Sequence, residues 1–471
     1  MVSSLAWCQF KSVLAVMLLS LLEGMAIGWA SPGMEKMEAW SSSGEDEAPY
    51  RPSKAEVTLI ISLFDIGVML GSWTSTVVFA VAGRRQTILV GPVTLSAWVV
   101  LTAIGTSTPM LIVARMLAGC GMGIALSFSY MYVGEVASPH LRGPLSMVVT
   151  LLMPIGQLVA FLLGSNVPWL WQSVYPVPFI AAMVLCLVFL MQETPFYLAS
   201  KGRAADMERS LRALRVGNSE ESIQAEMKTI QETVKAREDS KGGSWYDVFQ
   251  APGAKKAAAI ILVEASVMAV LGVTNVLAYT QQIFKFAKAE NILDPVLSSS
   301  LVIVVEIVMI SVAVFLIERL GRRLQMTTAA LVASFSMAVL SAYFILLEDQ
   351  KADMSSWKWV PLFGLLLYIA CVGGGINSVP QVLMSEMLPQ RAKVIIAPMC
   401  MTLMSLTSFG INYAFMPVGA AYGHWVMFLF FTCTNFVIAL FTLFVVPETK
   451  GKSLAEVQDM LAGYPSRKER I

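Results

Sequence analysis

The chain reads as an all-α membrane protein: twelve transmembrane helices in two pseudo-symmetric six-helix bundles. Three observations carry that expectation. Of 471 residues, 56% are hydrophobic and only 14% are charged, with mean hydropathy +0.68. Apolar runs of about 20 residues belong in lipid, because a helix needs about that many to cross the hydrocarbon. The runs are continuous and lack strand-like alternation, which excludes a membrane barrel. Three short charged tags each recur six apolar segments later. Gly83 to Gly321 is 238 residues, Glu135 to Glu386 is 251, and Glu193 to Glu448 is 255. Near-equal spacing of three ordered pairs means one unit used twice.

Taken in order, the spans fall at roughly 12–31, 56–81, 87–107, 109–133, 144–166, 173–191, 257–283, 296–317, 325–347, 358–384, 394–419 and 425–446. The first is too long for a signal-peptide core, and its removal would leave an odd number of helices. The organisation that follows is an N-terminal bundle over 1–192, a linker over 193–256, a C-terminal bundle over 257–447 and a tail over 448–471. Arg84, Arg85, Arg142, Arg322, Arg323, Arg391, Lys393, Lys450 and Lys452 all lie on even-to-odd connections or the tail. Positive charge marks the cytosolic side, so both termini are expected inside. The first outside connection, about 32–55, is rich in acids. In the linker, Leu211, Leu214, Ile223, Met227 and Ile230 recur at helical spacing among charges, the pattern of amphipathic helices on the cytosolic face. Leu454, Val457 and Leu461 give the tail the same pattern.

Net charge is +1, which gives no basic field for nucleic acid. The six cysteines lie in or beside apolar segments and imply reduced thiols. His140 and His424 have no metal-ligand spacing. No Gly-x-x-x-x-Gly-Lys-Ser/Thr loop is present for ATP, and no constellation of an enzyme appears. No metal and no cofactor are expected. Two parallel repeats around a midplane site are instead the plan of a rocking transporter.

The motifs at the cytosolic ends carry a resemblance. Arg115-Met-Leu-Ala-Gly119-Cys-Gly121-Met-Gly123, Tyr132-Val-Gly-Glu135 and Leu141-Arg142-Gly143 resemble the fourth-helix signature of the sugar porter family of the major facilitator superfamily. Glu193-Thr-Pro-Phe-Tyr-Leu-Ala-Ser-Lys-Gly202-Arg is similar to that family's sixth-helix exit. Glu318-Arg-Leu-Gly-Arg-Arg323 and Pro447-Glu-Thr-Lys-Gly451-Lys-Ser-Leu-Ala-Glu are similar to its C-terminal motifs. Gly28-Trp-Ala-Ser-Pro32 looks most like the insect facilitated trehalose and glucose transporters of the family. The resemblance implies the major facilitator fold, alternating access and a plasma-membrane location. It also implies a cytosolic gate built from Arg84, Arg85, Glu135, Arg142, Glu193, Glu318, Arg322, Arg323, Glu386, Arg391 and Glu448, paired across the halves when the carrier faces outward. On the substrate side this chain departs from the pattern. Met268 and Ala269 stand at the seventh-helix Gln pair, Thr274 at the Asn, Thr150 at the fifth-helix Gln, Gln381 at the tenth-helix Trp and Ala80 at a loop acid.

A sugar offers hydroxyls and a ring oxygen, which Gln, Asn, Tyr and Thr can meet as donors and acceptors. Asn275, Tyr279 and Gln282 share one face of the seventh helix, and Gly272 before them lets it bend. Asn377 and Gln381 share a face beside Gly373-Gly374-Gly375, as do Thr150 and Gln157, and Ser405, Ser408 and Asn412. With Thr274 these are the expected substrate residues; interhelical hydrogen bonding is the plainer reading of each. Acids inside spans are costly and mark functional candidates. Glu23, Asp65, Glu264 and Glu306 are such acids, and Arg115 is the main buried base. Possible coupling residues are Glu23, Asp65, Arg115 and Glu306. Proton-coupled family members carry an acid at the position of Ala30, so its absence here implies a facilitator. The function expected is transport of trehalose or a hexose such as glucose down its gradient, with a sugar and the lipid bilayer as partners and a monomer sufficing. Alternatives are a proton-coupled sugar symporter or organic-cation transporter on the same fold, and a transport-inactive sugar sensor.

Overall fold

The structure is a computed structural model and describes residues 2–42, 50–165, 167–239, 253–288, 294–452 and 454–463. Every regular element among them is helical. Twelve segments are long and apolar enough to cross a membrane, from Leu5–Ser41 to Trp425–Phe444. They match the twelve expected spans one for one.

The outer end of the first span corrects the sequence reading. A helix over Val2–Gly28 breaks at Trp29, and a second runs over Ala30–Ser42, where an outside loop from about residue 32 was expected. Its charges suggested a loop, but Met34 and Met37 are fully buried on one side of it. That side packs on the helix Val273–Phe286. Burial of an apolar stripe holds a helix whose opposite face is polar.

Three interruptions shape the C-terminal spans. The seventh ends one helix at Val270 and starts another at Val273. Between them Gly272 takes φ +94°, and a Cβ there would lie 2.8 Å from the ring of Phe431. Only glycine fits such a left-handed turn against an aromatic face. The tenth span passes through a π turn at Val372–Ile376, held by Gln325 Nε2 donating to Gly374 O at 2.6 Å. The ninth ends in a π turn at Ile345–Asp349.

The segment between the sixth and seventh spans folds as three helices, Pro195–Ser200, Ala204–Leu214 and Glu220–Asp239. Leu198, Met207, Leu211, Ile223, Met227, Ile230 and Val234 form a small core of their own. Arg215 ties it to the bundle, donating to Val136 O and to Glu226, each at 2.8 Å. Gln9 does the same from the N-terminal helix, through Leu214 O and Ser138. Residues 195–239 are therefore packed, not a solvated tether. A tail helix over Leu454–Ala462 buries Val457 and Leu461.

The chain groups into two compact units. One holds Met1–Ala26, Gly67–Gln157 and Pro168–Ser244. The other holds Ile27–Ile66, Leu158–Val167 and Trp245–Ile471. In the first, close backbone contact sets helix spacing. A Cβ on Gly123 would lie 2.1 Å from Val68 O, so the second and fourth spans meet there backbone to backbone.

Candidate functional site

The second helix of the seventh span, Val273–Phe286, carries a polar cluster of the second unit. Thr274 Oγ1 and Ser408 Oγ are 3.1 Å apart. Asn275 Nδ2 donates to Asn412 Oδ1 at 2.8 Å, and the Tyr279 hydroxyl donates to Asn412 O at 3.1 Å. Asn412 Nδ2 donates to Asp65 Oδ2 at 2.7 Å. Tyr279 also stacks on Phe415, with centroids 4.8 Å apart. The break at Gly272 makes this cluster possible, because it lets Val273–Phe286 start a new helix against the eleventh span. Gln282 is buried beside it, and neither its Nε2 nor its Oε1 has a partner among the described residues. The Oδ1 of Asn275 is in the same position. These groups offer both donors and acceptors to a ligand with hydroxyls.

The remaining expected substrate residues lie apart from that cluster. Thr150 and Gln157 belong to the first unit. Thr150 is hydrogen-bonded to Tyr130 at 3.1 Å, and Gln157 is buried. Asn377 follows the π turn and is half-buried, while Gln381 is exposed. Sequence reasoning missed several groups that reinforce the helix Val273–Phe286. Gln281 donates to Ser165 at 3.1 Å. Lys285 pairs with Glu35 at 2.5 Å. Lys36 Nζ reaches the carbonyls of Gly164 and Val167 at 2.6 and 2.5 Å. Glu35 and Lys36 were assigned to a loop, so their helical register was not legible. A cleft of about 550 Å³ in this unit is lined by Phe286, Lys288, Glu348, Lys351 and His424, with His424 Nδ1 2.7 Å from Glu348.

The recurring charged tags form one cluster per unit, built alike. In the first, Arg84 makes a two-pronged contact with Glu135, Nε at 2.9 Å and Nη2 at 2.7 Å. The ring of Phe79 lies 4.0 Å from its guanidinium carbon. In the second, Arg322 Nη2 donates to Glu386 at 2.7 Å, and Thr449 donates to the same carboxylate. The backbone N–H of Arg85 donates to Glu193 at 3.2 Å. The backbone N–H groups of Arg322 and Arg323 donate to Glu448, each at 3.1 Å. Each glutamate thus caps the start of a span, where orphan amides and the helix dipole favour an anion. Burial raises the Glu193 carboxyl above the usual range, while bonds from the Thr194 and Arg85 amides oppose that rise. Arg142 is exposed. The side chains of Glu318 and Arg391 lie outside the described residues.

Glu23, Asp65, Arg115, Glu264 and Glu306 are all buried. Neither oxygen of Glu264 has a partner among the described residues, nor has Oε1 of Glu23 or Oε2 of Glu306. Arg115 Nη1 donates to Ala26 O at 2.7 Å, beside the end of the helix that carries Glu23. Ala30 opens the helix after the Trp29 break, with no acid there.

Twelve spans, a repeated ion-pair cluster and a polar cluster within the spans define a multi-pass membrane transporter. The chain belongs to the sugar (and other) transporter family, whose model matches residues 12–461. It is 27% identical over 474 residues to the facilitated trehalose transporter Tret1 of Bombyx mori, covering 99% of this chain and 89% of that protein. It is 27% identical over 470 residues to the human solute carrier family 2, facilitated glucose transporter member 6, covering 95% and 90%. Among solved structures, the inward-open xylose transporter XylE from E. coli superposes with TM-score 0.75 at 20% identity, covering 96% of this chain and 99% of that one. The fold is therefore that of the major facilitator superfamily.

Proposed function

We propose that this protein carries a sugar, trehalose or a hexose such as glucose, down its gradient by alternating access of two six-helix halves. The observation that carries this reading is the cluster of Thr274, Ser408, Asn275, Asn412 and Tyr279, next to the unpartnered Gln282. Neutral amides and hydroxyls suit a neutral polyol, since each can donate and accept. The names of the relatives, trehalose and glucose transporters, support the same substrate class. Facilitated diffusion is favoured because Ala30 holds no carboxylate. The plasma membrane is the proposed location, with both termini and residues 193–256 on the cytosolic side, on the strength of the lysine and arginine distribution.

The test is counterflow and net uptake of labelled trehalose and glucose in proteoliposomes, with and without an imposed pH difference. A facilitator equilibrates sugar and never accumulates it. Accumulation above the outside concentration, abolished by Glu23→Gln or Asp65→Asn, points to proton coupling instead. The bond from Asn412 to Asp65 favours that second reading, because it joins an acid to the polar cluster. Uptake of an amine and of no sugar overturns both. Epitope tags after Ile230 and Pro465 should bind antibody only in permeabilised cells.

A further inference from the structure

The carboxylate of Asp65 fixes which way two amides point. Asn412 Nδ2 donates to Asp65 Oδ2 at 2.7 Å and to Ser408 Oγ at 3.3 Å. Asn412 Oδ1 is thereby turned toward Asn275 and accepts from its Nδ2 at 2.8 Å. Asn275 Oδ1 is left buried, with no hydrogen-bond donor among the described residues. The second, eleventh and seventh spans so contribute one line: carboxylate, amide, amide, and a bare acceptor at the end. Asp65 is 8% exposed, Asn412 5% and Asn275 0%. All three belong to the same compact unit.

An ionised carboxylate can only accept, whereas a carboxyl group also has one O–H to donate. With Asp65 ionised, each amide must turn its NH2 toward it, and the line ends in an oxygen. With Asp65 protonated, its O–H donates to Asn412 Oδ1 once that amide has turned over. Asn412 Nδ2 then donates to Asn275 Oδ1, and Asn275 Nδ2 becomes the free end. The Ser408 hydroxyl serves both states, accepting from Asn412 in the first and donating to it in the second. One proton at Asp65 therefore exchanges an acceptor for a donor at Asn275, and only hydrogen bonds change.

We propose that Asp65 is a positioning residue that determines specificity: its protonation state selects whether Asn275 offers the substrate an acceptor or a donor. This rests on the sugar-site reading above. The ionisable groups on the surrounding elements are few. Asp65 and Glu38 both lie within electrostatic reach of the Tyr279 hydroxyl. Lys285 is paired with Glu35, Lys36 is held by carbonyls, and Tyr413 beside Asn412 is exposed.

The experiment is equilibrium binding of D-glucose and its singly fluorinated analogues to the full chain in lipid nanodiscs, across pH. Fluorine in place of a hydroxyl removes a donor. At high pH one analogue should bind two- to tenfold more weakly than glucose, the value of one hydrogen bond. That ratio should change as pH falls, because the hydroxyl then accepts from Asn275, which fluorine does only weakly. In Asp65→Asn the ratio should be the same at every pH, and Asp65→Glu should restore the dependence. A structural role for Asp65 would lower affinity for all analogues alike and leave the ratio's pH profile in place. A flat wild-type ratio, or a pH-dependent ratio that survives in Asp65→Asn, overturns the proposal. If Asp65→Asn does not fold, Asn275→Ala must flatten the ratio instead, and persistence there overturns it equally. Failure of wild type to bind glucose or any analogue overturns the sugar reading itself, and the proposal with it.

Discussion

Arg84 and Arg322, 238 residues apart, each hold a glutamate of their own unit through Nη2 at 2.7 Å. The residue after each arginine repeats the likeness. Arg85 Nη2 donates to Val188 O, and Arg323 Nη2 donates to Leu443 O. Gly83 and Gly321, just before, take φ +98° and +85°. A repeat detected as three spaced tags is thus one construction made twice, down to backbone conformation.

Removing one partner of a buried ion pair strands the other charge and costs about 3–5 kcal/mol. The side chains of Arg84 and Glu135 are 9% and 11% exposed, against 15% and 25% for Arg322 and Glu386. Arg84→Ala is therefore expected to destabilise by about 3 kcal/mol and Arg322→Ala by less, because solvent screens the second pair more. Thermal unfolding of the purified variants in detergent checks the order. Equal losses, or none, contradict it.

Glu193 gives a pH signature. Its folded-state carboxyl is raised by burial, so the folded chain holds its proton to higher pH than the unfolded chain does. Stability then falls as pH rises from the ordinary carboxylate range through the raised value, since the native state binds more protons there. Glu193→Gln should flatten that part of the stability curve. A curve that still falls identically in the variant removes Glu193 as its source.

Arg142 is exposed, so its truncation should move stability by less than about 0.5 kcal/mol. If it belongs to the gate that the family resemblance implies, it should nonetheless matter for movement. Arg142→Ala is expected to slow exchange of sugar while leaving equilibrium binding unchanged. The measurement pairs counterflow rate with binding on one preparation, and an unaltered rate removes Arg142 from the gate.

Gly272→Ala forces a side chain into a left-handed turn and onto Phe431, 2.8 Å from the added Cβ. The backbone strain alone is about 1 kcal/mol or more, and the clash adds to it. Loss of stability should come with loss of sugar affinity, because the break orients Asn275 and Tyr279. Affinity retained at wild-type strength shows that the break does not place them.

Gln282→Ala separates a binding role from a structural one. Both polar atoms of Gln282 are buried without partners among the described residues, so truncation removes an uncompensated desolvation cost. The unliganded protein should become as stable or more stable, while sugar affinity falls two- to tenfold for each bond lost. A structural glutamine gives the opposite pair of results: lower stability and unchanged affinity.

Legibility in the sequence followed the range of the physics. Helix number, the glycine break in the seventh span and the flexible run in the tenth rest on apolar run length and on glycine itself, both local. The amphipathic helices of 204–235 and the tail were legible from spacing for the same reason. The helix over Ala30–Ser42 was not, because its reason to form is the burial of Met34 and Met37 against a helix some 240 residues later in sequence. The polar stripes of the seventh and eleventh helices were each visible, but their pairing was not. Nothing local states that Asn275 faces Asn412, or that Gln281 faces Ser165.

By itself the sequence determined that this chain must live in a bilayer, as twelve helices built from one repeated six-helix unit. Long apolar runs belong in lipid, and three ordered pairs of charged tags at near-equal spacing mark a repeated unit. Tertiary structure alone decided which polar groups meet. It made Asp65, legible in the sequence as an intramembrane acid and possible coupling residue, the hydrogen-bond partner of Asn412. It left Gln282 buried without a partner among the described residues, and Gln381 exposed. Hydrogen bonds act over about 3 Å, and only the packed positions of helices far apart in sequence bring donor and acceptor that close.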